Sequence, residues 1–181
     1  GVRAGAAVGL PRRGVTTAAD WLAPAWRVAE VGALMTTRAG GVSRGRHATM
    51  NVGDAVGDDV DDVAANRRLL AEAIGARPVY LRQVHGTRVV RVDAADAAAG
   101  AGVHAADAVV TAAPGVACVV QAADCLPVLL AAPHGRAVGA AHAGWRGLAA
   151  GVVEAAVDAV AAAAACAPGE LVAWLGACIG P

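Results

Sequence analysis

Lysine and phenylalanine are absent from the 181 residues, and tyrosine occurs once. With aromatics at 3%, the core has to be built from Val, Leu, Ile and Ala with few large anchors. All 15 basic residues are Arg, balanced by 15 acidic ones. That is a compositional bias from which no partner follows, and no basic patch with interleaved aromatics suggests nucleic acid. No apolar run reaches the roughly 18 clean residues of a membrane-spanning helix, because Asp, Glu or Pro interrupts each one. No apolar segment followed by a cleavage site reads as a secretory signal. The cysteines at 118, 125, 166 and 178 contain no CxxC pair, which argues against a disulfide framework or a zinc finger. The expectation is a reduced, cytoplasmic protein without nucleic-acid or membrane partners. The sequence does not fix an oligomeric state.

What is present reads as one domain. Residues 1–30, rich in Ala, Gly, Pro and Arg, read as a poorly ordered leader, with an extended stretch near Trp26 to Val28. From residue 31 to 181 the pattern sharpens. "VGALMTTR" reads as a strand, and "AGGVSRGRHATMNVGDAVGDD" as a long loop whose length suggests function. "DDVDDVAANRRLLAEAIGA" reads as a helix capped by Asp58 or Asp59, with Val63, Leu70 and Ile74 on one stripe and Gly75 just past its end. "PVYLRQVHGTRVVRVD" reads as two strands around a turn near His85-Gly86-Thr87. Several short strands follow between residues 107 and 143. One helix is expected from Trp145 to Ala165, with Leu148, Val152, Val153, Ala156, Val157 and Val160 inward, before a last strand. The fold class is α/β (α+β), a single domain of mixed β-sheets with flanking helices.

His85, Cys125 and His142 fall at strand ends, where reactive groups gather. His and Cys in this number suit a catalytic zinc, which takes three protein ligands and keeps a fourth position open. Their separations of 40 and 17 residues do not suit a closed structural site. The competing reading is a Cys–His pair, with Cys125 as nucleophile and His85 or His142 as base. A structural role for each residue alone also stands. Cys118 and Cys166 read as small core residues. Arg38 in its glycine-rich setting and Arg146 at a helix start are candidate anion binders, against plain solvated roles. His47, His104 and His134 read as solvent-facing, and Asn66 and Arg67 as helix surface.

The segments "TTRAGGVSRGRHATMNVGD", "NRRLL", "LRQVHG", "ADAVVT", "QAADCLPVLL", "AAHAGWRG" and "LGACIGP", in this order, resemble the laccase-domain family, also called multicopper polyphenol oxidase, purine nucleoside phosphorylase and peptidoglycan editing factor. The resemblance implies a zinc ion on His85, Cys125 and His142, copper being less suited. It implies phosphate-dependent cleavage of adenosine, inosine and S-methyl-5'-thioadenosine, with adenosine deamination. It also implies that Arg38 and Ser43 line the pocket with small-molecule nucleoside and phosphate as partners. Arg146 is a further phosphate candidate and Asp124 the candidate proton carrier. The alternatives are an amidase editing a cell-wall precursor that carries a wrong amino acid, and an inactive metal-binding remnant. Oxidation of phenols is disfavoured, since one site with two His and a Cys does not make a multicopper cluster. Ala177 stands where the family has Pro. The family continues past this motif, so the reading expects a C-terminally truncated domain whose Leu171, Trp174, Leu175 and Ile179 want neighbours.

Overall fold

The computed structural model describes residues 2–9, 20–26 and 28–180. Its elements in chain order are β1 (Ala4–Gly9), β2 (Gly32–Met35), α1 (Val60–Ile74), β3 (Arg77–Val79), β4 (Leu81–Arg82), β5 (Val89–Arg91), β6 (His104–Ala105), β7 (Ala108–Thr111), β8 (Val116–Ala122), β9 (Leu126–Ala131), β10 (Val138–Ala143), α2 (Trp145–Ala150), α3 (Val152–Ala164) and β11 (Val172–Leu175). A four-stranded sheet has the order β2-β1-β8-β3, a five-stranded sheet the order β11-β9-β10-β7-β5, and β4 pairs with β6. The two large sheets pack face to face: Val8, Met35 and Val120 of one meet Val109, Leu129 and Val138 of the other. On the outer face of the four-stranded sheet, Leu70 and Ile74 of α1 pack on Ala7 and Val119. On the outer face of the five-stranded sheet, Val152 and Val160 of α3 pack on Val110 and Leu130. The result is the mixed-sheet α/β architecture expected. No helix among the described residues is long and apolar enough to cross a membrane.

α1 forms as its sequence dictates. Asp59 caps it by accepting from the amides of Asp61 and Asp62, and Gly75 ends it at φ 68°. The second helix breaks where one was expected. Gly151, at φ 95°, separates α2 from α3, and Leu148 of the expected inward face is exposed. The stretch 77–92 is not a hairpin: β3 pairs with β8, β4 with β6 and β5 with β7, all parallel. Residues 4–9, expected within a poorly ordered stretch, form a strand. β1 runs antiparallel between β2 and β8. An Ala/Gly run shows no strand alternation, yet small residues are what the slot admits: a Cβ at Gly9 would lie 2.9 Å from that of Ala117. Trp26 and Val28 lie in no strand, and Arg27 is outside the described residues. In the last segment Leu171 and Trp174 are half-buried, while Leu175 and Ile179 are exposed.

The long loop after β2 is ordered around a helix residue. Asn66 is fully buried, not on the surface. Its carbonyl accepts from the amide of Val42, and its Nδ2 donates to Ser43 Oγ and to the carbonyls of Thr49 and Asn51. The neighbouring Arg67 donates to the Val52 carbonyl, pairs with Asp54 and lies over the Tyr80 ring. His47 is likewise buried and accepts from Arg46 Nε, and His104 pairs with Asp96 at 2.7 Å. Only His134 of the three faces solvent as expected. Helical periodicity puts Asn66 and Arg67 outward because it does not register the loop folded over α1, and a loop-like setting does not name the partners of His47 and His104. Asn66→Leu should leave the Val42 amide and the Asn51 carbonyl without a partner and take one bond each from Ser43 Oγ and the Thr49 carbonyl, costing about 3 kcal/mol or more. Urea unfolding checks this, and a loss under about 1 kcal/mol would contradict it.

Candidate metal centre

Three chain connections meet at one place. β4 leads into Val84–Thr87, β8 leads through Asp124 and Cys125 into β9, and β10 carries His142 just before α2. The ligand atoms of His85, Cys125 and His142 all lie within 4.8 Å of one another. Cys125 Sγ is 3.8 Å from His85 Nε2, and the two imidazoles meet edge to face with centroids 4.8 Å apart. A tetrahedral zinc, with bonds of about 2.0–2.1 Å to nitrogen and about 2.3 Å to sulfur, sets such N and S atoms about 3.6 Å apart. The donor set and spacing therefore fit a metal. His142 is buried, Cys125 half-buried and His85 exposed, so the cluster is open on the His85 side.

The residue that builds the cluster is Asp107, which sequence reading passed over. It is fully buried. Its Oδ2 accepts from the amides of Val84 at 3.1 Å and Gly86 at 2.8 Å. Its Oδ1 takes the His85 amide at 2.9 Å and His142 Nδ1 at 2.9 Å. One carboxylate thus folds the His85 loop and orients the His142 ring, leaving Nε2 of His142 as the free donor. It also explains why the chain makes no hairpin here, since the loop amides are engaged by Asp107. His85 itself sits at φ 61°, a strained region for a residue with a Cβ. The amide bonds to Asp107 hold it there. The signal was "ADAVVT": an Asp opening an apolar strand has to find donors or remain outside the core.

The electrostatics follow from burial. Burial opposes ionisation of Asp107, but the bonds from His142 and the three loop amides outweigh it and hold the carboxyl below its usual range. Burial pushes His142 below the ordinary histidine range, against the pull of Asp107, so the ring stays neutral and able to ligate. Burial, then the Asp124 carboxylate, pushes the Cys125 thiol up, with Arg3 opposing. The HAGWRG glycines answer to space. A Cβ at Gly144 would lie 2.7 Å from His85 Cδ2 and 3.0 Å from Cys125 Sγ, and one at Gly147 2.9 Å from the Gly86 carbonyl.

The other expected residues divide. Asp124, the chain neighbour of Cys125, and Arg38 line one cavity of about 440 Å³ with Met35, Thr37, Cys178 and Ile179; the three cluster residues do not line it. Arg38 Nε and Nη2 both donate to the Ala48 carbonyl. Ser43 is not on that cavity. It is buried, donates to Asp58 and accepts from Asn66. Arg146 is exposed, over the Trp145 ring at 5.2 Å, and does not line the cavity.

A His-Cys-His cluster with one open side, at the loop ends of an α/β fold of packed sheets, is a group that could hold a metal ion. The chain belongs to the family described as multi-copper polyphenol oxidoreductase laccase, whose model matches residues 32–181. It is 49% identical over 163 residues to a purine nucleoside phosphorylase of Pseudomonas aeruginosa, covering 89% of this chain and 63% of that one. It is 44% identical to a purine nucleoside phosphorylase of Haemophilus influenzae, covering 87% and 62%. Among solved structures it is similar to YlmD from Geobacillus stearothermophilus, with TM-score 0.81, 35% identity and coverage of 92% and 65%. A Neisseria meningitidis protein gives TM-score 0.78 at 43% identity, covering 88% and 63%. The chain spans just under two thirds of the length of these relatives.

Proposed function

We propose that this chain carries the metal centre of a zinc-dependent purine nucleoside phosphorylase acting on adenosine, inosine and S-methyl-5'-thioadenosine, with adenosine deamination as a second activity. The observation that carries the reading is the His85–Cys125–His142 cluster, with three donors and an open side. The relatives named purine nucleoside phosphorylase support its phosphorylase part. Zinc held there supplies a Lewis acid for a substrate oxygen or nitrogen. The chain's own groups do the rest. The cavity lined by Met35, Thr37 and Ile179 receives the nucleoside, with the Arg38 guanidinium at its wall. In phosphorolysis an oxygen of phosphate forms the bond to C1′ of the ribose. The purine leaves with the electron pair of the C1′–N9 bond and takes up a proton. Asp124, in the cavity wall beside Cys125, is the side chain placed to carry that proton. We place the protein in the cytoplasm, where the Cys125 thiol stays reduced.

The assay is zinc-loaded chain with adenosine and phosphate, read as adenine and ribose 1-phosphate, and adenosine alone, read as inosine. Cys125→Ser exchanges a thiolate for a neutral hydroxyl. It should lose most of its zinc on dialysis and both activities with it. Full zinc retention in this variant would sink the three-ligand site. Cleavage of a muramoyl-serine nucleotide by a protein inert towards nucleosides would replace the phosphorylase by the editing amidase.

A further inference from the structure

Arg3 opens β1, and the loop Asn51–Gly53 holds it in place. Asn51 Oδ1 accepts its amide at 2.9 Å, and the Val52 amide donates to its carbonyl at 3.1 Å. Its side-chain stem lies across Gly53, where a Cβ would sit 2.5 Å from Arg3 Cδ. Strand parity fixes the direction of the side chain. A Cβ at Gly5 would face Val52 and Leu70, so Arg3, two residues earlier, lies on that same face. Gln121, paired with Gly5 across the β1–β8 ladder, shares it. The register Ala4↔Ala122 puts Arg3 at the end of the sheet where β8 runs out into Asp124 and Cys125. From there its charge is felt at both Cys125 and His142.

This cation is not spent. The ion pairs of the described residues are Arg67–Asp54, His104–Asp96 and His142–Asp107. Among those residues, no hydrogen bond engages the Arg3 guanidinium. The other candidate arginines differ: Arg38 is tied to the Ala48 carbonyl, and Arg146 is exposed over Trp145. Asp107, the buried carboxylate nearby, has each oxygen occupied by two donors. A half-buried arginine in no ion pair among the described residues, at the strand end next to residues that could hold a metal cation, is a place that calls for an anion.

We propose that Arg3 is the binding residue for inorganic phosphate at the metal centre. Its role in turnover rests on the phosphorylase reading, but its binding of the anion does not. The fork of the guanidinium grips two phosphate oxygens at the β8 end beside the cluster.

The test titrates inorganic phosphate into the zinc-loaded chain, followed by calorimetry and ³¹P line broadening. Arg3→Gln keeps the stem on Gly53 and both backbone bonds to the loop, so zinc content and melting temperature should match the parent. Phosphate affinity should fall about tenfold or more with the loss of a charge-assisted bidentate contact. Arg3→Lys, which keeps charge without the fork, should fall between the two. In the adenosine assay Arg3→Gln should raise KM for phosphate and leave kcat at saturating phosphate within a few-fold. Equal phosphate affinity in parent and Arg3→Gln overturns the proposal. So does absence of phosphate binding by the parent, or loss of zinc in Arg3→Gln. Arg3-dependent phosphate binding without nucleoside cleavage keeps the anion site and removes the phosphorylase reading. Cleavage with an unchanged KM for phosphate in Arg3→Gln does the reverse.

Discussion

Asp107→Asn should weaken metal binding up to about 100-fold while leaving the sheets folded. The substitution is nearly isosteric, so packing does not decide the outcome; donor and acceptor polarity does. The carboxylate accepts four N–H groups, two on each oxygen. An Asn has one carbonyl oxygen and one NH₂, and the NH₂ cannot accept. If its oxygen faces Val84 and Gly86, the NH₂ points at the His85 amide and His142. His142 Nδ1 can then accept only by moving its own proton to Nε2, the atom the metal needs. If the oxygen faces His142, the amides of Val84 and Gly86 meet an NH₂, and the strained turn at His85 loses part of its support. Either way one ligand is misplaced. Outer-shell changes of this kind typically cost about 10–100-fold in metal affinity. The upper end is expected here because two of three ligands depend on one group. Zinc competition against a chelator measures the affinity, and ¹⁵N chemical shifts of His142 report the tautomer. Parent affinity in Asp107→Asn would remove Asp107 from the account of the site.

What the sequence made legible was the set of residues that form the cluster. His85, Cys125 and His142 stand at chain punctuation, between apolar runs and glycines, where a polar residue is conspicuous. The caps of α1 were legible for the same reason: Asp59 and Gly75 are local signals for a local structure. What escaped reading is non-local. Asp107 lies in a strand-like run, and its partners are 21 to 35 residues away, so no local pattern names them. Asn66 reads as a surface position until the loop 38–58 folds over it. Arg3 belongs to a run of alanine and glycine without period-two alternation, and its pairing with β8 spans more than a hundred residues. The missed groups are those that orient, clamp or face the cluster. The hairpin and the single second helix failed on related grounds: Asp107 drew the loop amides away, and Gly151 took a left-handed conformation.

Gly144→Ala should weaken metal binding by about 100-fold or more at almost no cost in stability, and the combination is the informative part. Gly144 has φ −66° and ψ 156°, a conformation that alanine adopts freely, so the backbone is not strained by the change. The added methyl, however, would fall 2.7 Å from His85 Cδ2 and 3.0 Å from Cys125 Sγ. Both distances are well inside van der Waals contact. His85 is exposed and its loop is held by hydrogen bonds rather than by a packed core, so it is His85 that gives way. The site then keeps two ligands in position, and affinity should fall by about 100-fold or more, at or beyond the range for indirect changes. Gly147→Ala presses on the Gly86 carbonyl at 2.9 Å and disturbs the same loop from behind, so an intermediate loss is expected. Gly102→Ala, where nothing lies within 4 Å of the added carbon, should match the parent. Zinc affinities should therefore rank Gly102→Ala equal to parent, then Gly147→Ala, then Gly144→Ala. The melting temperature of the zinc-free Gly144→Ala chain should stay within a few degrees of the zinc-free parent, because the crowded side chains lie at an open edge. A Gly144→Ala chain that binds zinc as tightly as the parent would show that His85 and Cys125 do not hold the metal together.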